Sequence, residues 1–418
     1  MNESSSLSGF QLFTPENLSC PHQAWQMLRE QAPVYPIDVP GARVPVYVVT
    51  GREEIEYIAR STDKFSNNPD ASIWRWGDEF APELAEKFEA AGHTIVRTLQ
   101  ATDPPHSLDY RKVVTDVIGP GSIRGWRNRI EAIIADLLAD IPDGVPVNFV
   151  EAFSVPLPLK VICLILGIPY SDSEFFRFYS DEFTHLVDPT HPMERALSAT
   201  ETIVKGYDYL TKRLKEYREC PADNLLSAFA NAEFDGRPAT LDEALSMAHV
   251  TVIAGNETTR NALSSGMLTL AKNPALWSRI KADRSLVKDF YLEVLRRDAP
   301  ATTTPRTVLE DVELGGVQLR KGDCVFVMWG SGSHAEKHFD DPLEFDIDRK
   351  NKSAHCTFGM GVHHCAGSAL AREELDQAFN AILDRYDSVE LARPADEVQY
   401  DPVFGFHALS DVPVIFRR

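Results

Sequence analysis

The stretch FGMGVHHCAG, Phe358 to Gly367, places a thiol beside two imidazoles and among three glycines. Such a thiol could bind a metal, attack a substrate, close a disulfide or pack inertly. A structural zinc site takes paired cysteines at Cys-x2–4-Cys spacing; Cys356 and Cys365 are farther apart than that, and no second pair exists. His363, His364 and Cys365 are adjacent, so their side chains diverge rather than converge on one ion. A nucleophilic thiol needs a base and a group that orients the base, for which a nearby histidine is thin support. Taken alone, Cys365 reads as a small buried hydrophobe. The glycines change that balance. Gly359, Gly361 and Gly367 point to unusual dihedrals or close contact with something flat. A helical pattern also begins just after the cysteine, so its first amides and dipole can face a thiolate.

The stretch is similar to the haem-ligand loop of the cytochrome P450 family, Phe-Gly-x-Gly-x-His-x-Cys-x-Gly, at each specified position. The resemblance implies that Cys365 is the proximal thiolate on the iron of haem b (iron protoporphyrin IX), pushing electron density that favours O–O cleavage. It further implies that Phe358 and Gly359 lie against the cofactor side of the loop and that His363 reaches a propionate. His364 falls at a variable position and receives no role.

Other segments occur in the order the resemblance requires. AGNETT, Ala254 to Thr259, sits inside a long helical pattern. A mid-helix glycine costs about 1 kcal/mol against alanine, which invites a reason such as a close ligand; the plainer reading is a bent core helix with a solvated glutamate. It resembles the family's distal-helix Ala-Gly-x-[Asp/Glu]-Thr. That implies Ala254 and Gly255 face the haem and leave room for dioxygen, Thr258 hydrogen-bonds the oxygen, and Glu257 relays protons. EVLR places Glu293 and Arg296 on one helical face. The plainer reading is a surface pair worth a few tenths of a kcal/mol; the resemblance implies a buried structural pair. Arg306 and Arg111 match propionate-binding arginines of the family, as charge-assisted partners of carboxylates. Where the family has a histidine before Arg111, Ser107 stands, and His106 is one place early. In GSGSHAEKHF, the run Ser333, His334, Ala335 replaces the relatives' Asn-Arg-Asp.

These residues need elements to hold them. The 418 residues, 44% hydrophobic and 25% charged, are an ordinary globular composition, and the length allows a large core. No linker or repeat interrupts the chain, so one domain over 1–418 is expected. Thr240 and Glu243 form a capping-box signature. The pattern they open runs to about Lys272, a rod of roughly 50 Å. Helical periodicity dominates from about 51 to 300 and again at 366–386. Strand-type runs lie near 34–50, 304–330 and 388–418. The expected fold class is mainly α with small β-sheets, which the resemblance makes the cytochrome P450 fold, with haem between the long distal helix and the cysteine loop.

The six cysteines are scattered, against a disulfide framework. The N-terminus has no signal-peptide pattern, and no apolar run reaches a membrane span, so a cytoplasmic protein without a membrane anchor is expected. A net charge of −20 argues against nucleic acid as a partner. Mapping the family's dispersed substrate contacts onto this chain gives Trp74, Trp76, Val250, Ile253, Ala254, Ala301, Thr302, Thr303, Phe404 and Phe406. Any of the aromatics could equally be core. Such a lining suits a medium-sized lipophilic substrate of terpenoid, steroid or aromatic class.

The resemblance implies monooxygenation with O2, with electrons from NAD(P)H through a separate reductase and an iron–sulfur ferredoxin, and a monomer. Arg111, Lys112, Arg124, Arg127, Arg129 and Lys352 flank the cysteine side, where Lys112 and Arg127 are expected to steer the carrier. A peroxide-driven peroxygenase and a haem-binding sensor are the alternatives. The Glu257–Thr258 pair argues against the first, and the sensor has no need of it.

Overall fold

The structure, a computed structural model, describes residues 7, 10–39, 42, 44–68, 82–94, 96–187 and 193–418. It is mostly helical with small sheets, as the periodicities predict.

The axis of the molecule is the long helix Leu241–Lys272. Thr240 Oγ1 accepts from the Glu243 amide at 3.1 Å, and Glu243 accepts from the Thr240 amide at 2.7 Å, so the predicted capping box forms. Arg237 grips the same carboxylate at 2.7 and 2.8 Å and holds its pKa down to about 2. Most of this helix is buried on every face. It can be so because small residues let neighbours close in: a Cβ on Gly266 would lie 2.4 Å from the ring of Phe379. Asn273 ends the helix and caps the next one, accepting from the Leu276 amide at 3.0 Å with Pro274 following.

Helices that bear on the site are α1 (Arg52–Arg60), α2 (His106–Ile118), α3 (Pro156–Leu166), α4 (Ser173–Val187), α5 (Met193–Glu219), the long helix α6, α7 (Val287–Arg297) and α8 (Ser368–Arg385). The second half of α3 is the apolar run VICLIL, Val161 to Leu166. It ends at Gly167, which takes the left-handed conformation at φ 77° that a C-terminal glycine allows.

The larger sheet has strands β1 (Val34–Ile37), β2 (Val46–Val49), β3 (Phe65–Ser66), β5 (Thr304–Val308) and β6 (Cys324–Val327), in the order β1-β2-β6-β5-β3. Only the β2–β6 pair is parallel. All four residues of β6 are buried, and the pleat divides them. Val325 and Val327 join a cluster with Ile55 and Ile58 of α1, while Cys324 and Phe326 join one with Trp25 and Leu28. Strand β4 (Val147–Asn148) pairs with β8 (Pro413–Arg417), which pairs with β7 (Ser388–Leu391). The two-residue strands β3 and β4 fall inside the stretch expected to be helical. They are too short to carry a period, and their position is set by the partner strand.

Candidate active site

The cysteine loop hangs between β-sheet and α8. The Cys365 amide donates to the Phe358 carbonyl at 2.7 Å, and the Gly359 amide to that of Cys356 at 2.7 Å. Gly359 and Gly361 both take φ +68°, closed to ordinary side chains. At Gly361 a Cβ would also meet the Ala59 carbonyl of α1 at 2.4 Å. That glycine is therefore required by contact with α1 rather than by a flat ligand. The amides of Gly367 and Ser368, at the start of α8, face the Cys365 sulfur, and with Arg111 and Arg372 they favour its thiolate. Burial acts the other way and raises the thiol pKa. The residue is nevertheless accessible to solvent. Accessible yet desolvated by the protein around it, Cys365 lines a cleft rather than the outer surface.

Around it stand two arginines and a histidine. Arg306 of β5 is buried. Among the described residues its guanidinium donates to Thr304 Oγ1 at 3.0 Å and the Pro305 carbonyl at 2.6 Å, and burial pushes its pKa down to about 10. Arg111 of α2 donates to the Val362 carbonyl at 3.2 Å, its pKa lowered by burial. Among the described residues neither has a carboxylate within ion-pair distance. His363 is held down to about 4, first by burial and then by Arg306. Its Nε2 is a buried atom with no hydrogen-bond partner, 3.9 Å from Asp103 Oδ1. Buried cations and an orphaned imidazole nitrogen are costly unless an anion meets them. A thiolate donor among amides, beside two arginines without carboxylate partners among the described residues and a histidine whose Nε2 has no hydrogen bond, is a donor set that suits an iron porphyrin with two propionates. The residues present fit that group.

His106 does not join the rim. Its Nδ1 lies 3.1 Å from Asp235 Oδ2 at the surface. One place of register along α2 turns it from the cleft to the 233–238 hairpin, and Ser107 is the buried residue.

The Glu293–Arg296 pair of α7 is no surface pair. Both side chains are fully buried, and Arg296 Nε and Nη2 each donate to one Glu293 oxygen at 2.8 Å. Arg296 also reaches the carbonyls of Pro342 at 2.7 Å, Glu344 at 3.1 Å and Ser333 at 3.3 Å. The sequence reading missed a third member, Arg349, which donates to Glu293 at 3.2 Å and to the carbonyls of Asp341 and Glu344. It lies in an irregular stretch with no period to mark it. Thr357 Oγ1 donates to the Leu295 carbonyl at 2.5 Å, fixing the cysteine loop to α7. Arg372 was missed too: its guanidinium sits 4.5 Å over the Phe358 ring. The signal for it was available, a cation one turn into the helix that follows the cysteine.

On α6, Ala254 is exposed in the middle of a helix whose neighbours Val252 and Asn256 are buried. Thr258 Oγ1 donates to the Ala254 carbonyl at 3.2 Å. Glu257 lies 3.4 Å from Arg260, and burial raises its carboxyl pKa. For Gly255 the structure gives a different reason from the expected room beside a ligand. A Cβ there would lie 2.8 Å from Ile162 Cδ1, so the glycine lets α3 close on α6.

Comparison with known proteins agrees with this site. The family profile described as "Cytochrome P450" matches residues 190–406. The "Steroid C26-monooxygenase" of Rhodococcus jostii is 31% identical over 88% of this chain and 77% of its own. The "6-deoxyerythronolide B hydroxylase" of Saccharopolyspora erythraea is 31% identical over 94% and 95%. Among solved structures, the Bacillus subtilis cytochrome P450 PksS superimposes with a TM-score of 0.85 at 26% identity, covering 98% of this chain and 100% of that one. The chain belongs to the cytochrome P450 family. As a P450 it is an oxidoreductase of the monooxygenase class, with a haem-thiolate cofactor, and it takes O2, an organic substrate and electrons from a redox partner. No helix among the described residues of this P450 is long and apolar enough to cross a membrane.

Several expected contacts of the P450 stand elsewhere. Phe404 is half-buried, its ring edge-on to Phe13 and Phe326 at 5.0 Å each. The Thr303 hydroxyl is spent on the Val327 carbonyl at 3.0 Å. Ala301 and Phe406 form an isolated β-bridge, and the Thr302 amide donates to the Gly405 carbonyl at 2.8 Å. Val250 and Ile253 are half-buried on α6. Trp74 and Trp76 lie outside the described residues. The basic patch is largely neutralised: Lys112 pairs with Asp116 at 2.6 Å, Arg127 with Glu373 at 2.7 Å, and Arg129 covers the Trp126 ring at 3.9 Å. Lys352 is buried beside Asp289 rather than exposed.

Proposed function

We propose that this P450 inserts one oxygen atom into a medium-sized lipophilic substrate, with haem b held by Cys365 and electrons delivered from NAD(P)H through a reductase and a ferredoxin. The observation that carries the reading is the cleft at Cys365, where a sulfur faced by two backbone amides stands beside Arg111 and Arg306, which have no carboxylate partner among the described residues, and His363, whose Nε2 has no hydrogen bond. The haem, when bound, supplies the oxygen-activating and electron-accepting chemistry. This chain's residues do the rest. The amides of Gly367 and Ser368 keep negative charge on sulfur. Arg111, Arg306 and His363 receive the two propionates. Arg372, over Phe358, adds positive charge behind the loop.

On α6, Thr258 would offer its hydroxyl to the oxygen chemistry that the haem supplies when bound; the hydroxyl donates here to the Ala254 carbonyl of its own helix. Glu257, whose carboxyl holds its proton more readily than an exposed glutamate, supplies protons to that hydroxyl. Ala254 gives room, and Val250, Ile253, Ala301 and Phe406 present apolar surface to the substrate. The named activities of the relatives, on a steroid and on 6-deoxyerythronolide B, support a polycyclic or macrocyclic lipid-like substrate.

The deciding experiment is the ferrous CO difference spectrum. A thiolate-type Soret band in wild type and its loss in Cys365→Ser are expected; a histidine-type band in intact wild type would overturn the assignment. Thr258→Ala should divert NADH consumption to hydrogen peroxide, and coupling equal to wild type would remove Thr258 from the mechanism.

A further inference from the structure

One carboxylate already stands beside Arg306 and His363, and it belongs to the chain. Asp103 lies just before α2, and its carbonyl accepts from the Ser107 amide at 3.1 Å. Its side chain is fixed from another element. Oδ1 accepts from the Asn67 amide at 2.8 Å, and Oδ2 accepts from the Ser66 hydroxyl. Sheet pairing holds those donors in place. Ser66 of β3 is the register partner of Thr307 in β5, the residue after Arg306. Thr307 Oγ1 also donates to the Asn68 carbonyl at 2.8 Å.

A carboxylate is charged at neutral pH, and this one is felt at the cleft. Asp103 Oδ1 stands 3.9 Å from His363 Nε2, the buried nitrogen without a hydrogen bond, and is too far to bond it. Burial lowers the pKa of Arg306 and of His363, and the charge of Asp103 works against that lowering in both. The Asp103 side chain is 28% exposed, so water and salt screen its field only in part. A second carboxylate that takes the open nitrogen of His363 therefore does so beside a charge of its own sign.

We propose that Asp103 is a resident counter-charge that competes with a haem propionate for Arg306 and His363. It offsets those groups where no propionate meets them. Beside a propionate it is a like charge, which loosens the grip on the cofactor. Negative charge on that side also favours the ferric over the ferrous state. Asp103 is a positioning residue: it acts through its field on Arg306, His363 and the propionate, and touches no reacting atom. The inference rests on the reading that Cys365 holds haem and that Arg306 and His363 receive its propionates.

The test is transfer of hemin from the holoenzyme to an excess of apomyoglobin. Asp103→Asn keeps an acceptor for the Asn67 amide and removes the charge. It should release hemin about tenfold more slowly than wild type, the size of one partly screened charge pair. That ratio should shrink as salt is added. Hemin dimethyl ester, whose side chains carry no charge, should leave both proteins at one rate. Spectroelectrochemistry should place the ferric–ferrous midpoint higher in Asp103→Asn than in wild type, and Asp103→Ser, which also lacks the charge, should move it in the same direction. Hemin release from Asp103→Asn as fast as from wild type, or a midpoint unmoved in both variants, would overturn the proposal. The CO difference spectrum of the same samples separates the two failures. Wild type without a thiolate band sinks the proposed function, whereas a normal band with equal release rates and potentials sinks the role of Asp103 alone.

Discussion

Glu293 and Arg296 meet through two parallel hydrogen bonds of 2.8 Å with neither side chain exposed, and the same guanidinium holds three carbonyls from residues 333 to 344. The pair is thus a pin through the irregular stretch that leads to Cys365. Arg296→Gln removes both the charge and the fork. It should cost about 3–5 kcal/mol, the range for removing one partner of a buried pair. Urea unfolding followed by circular dichroism measures it, and a loss below 1 kcal/mol would show that the pin is dispensable.

Arg306 and Arg111 face the cleft without carboxylate partners, whereas His106 is tied to Asp235. Arg306→Gln and Arg111→Gln should each weaken hemin binding by roughly 10- to 100-fold, the equivalent of one charged hydrogen bond. His106→Ala should leave it unchanged. Transfer of hemin from each variant to an excess of apomyoglobin reports the ratio.

Gly361 combines a φ of +68° with a Cβ position 2.4 Å from the Ala59 carbonyl, while Gly92 has a φ of +79° and open space. Gly361→Ala should cost about 2 kcal/mol or more, and Gly92→Ala about 1 kcal/mol, the strain alone. Equal losses in thermal unfolding would remove the contact with α1 as the cause.

Acid should weaken the fold through a cluster of buried imidazoles. The His22 ring lies 4.6 Å from that of His334 and 5.8 Å from that of His407, near Asp298 and Arg297. Burial lowers His22 and His407 to about 4. The unfolded chain takes up these protons near pH 6.5, and the folded chain only near 4. Their neutral forms therefore favour folding above pH 6.5, and that contribution is lost progressively as pH falls towards 4. Each group contributes up to about 3 kcal/mol. Urea midpoints taken at steps from pH 7 to 4.5 should fall, and His22→Gln should flatten the slope.

The long helix was legible because Thr240 and Glu243 mark its start and its composition stays helical to Lys272. Cys365, Thr258 and Glu257 were singled out by motif spacing, and their roles are proposals. Phe404 was open to either reading because an aromatic in a loop has no period to separate pocket from core; in the fold its ring meets Phe13 and Phe326 while remaining half-buried. Arg349 and Arg372 escaped notice because their partners are carbonyls and a ring, and neither leaves a local pattern. Gly255 and Gly361 were flagged correctly as special, but what crowds them is Ile162 and Ala59, distant in sequence.

The parallel pairing of β2 with β6 has a consequence for synthesis. Val46–Val49 lies between an early neighbour and a late one, and Ser331 donates to the Thr50 carbonyl across a separation of 281 residues. On the ribosome, one edge of the first hairpin stays unpaired until that distant strand emerges, on the order of half a minute at ordinary elongation rates. An open apolar edge held for so long is a site for chaperone capture or aggregation. The yield of this protein should therefore depend on elongation speed and chaperone supply more than on its final stability.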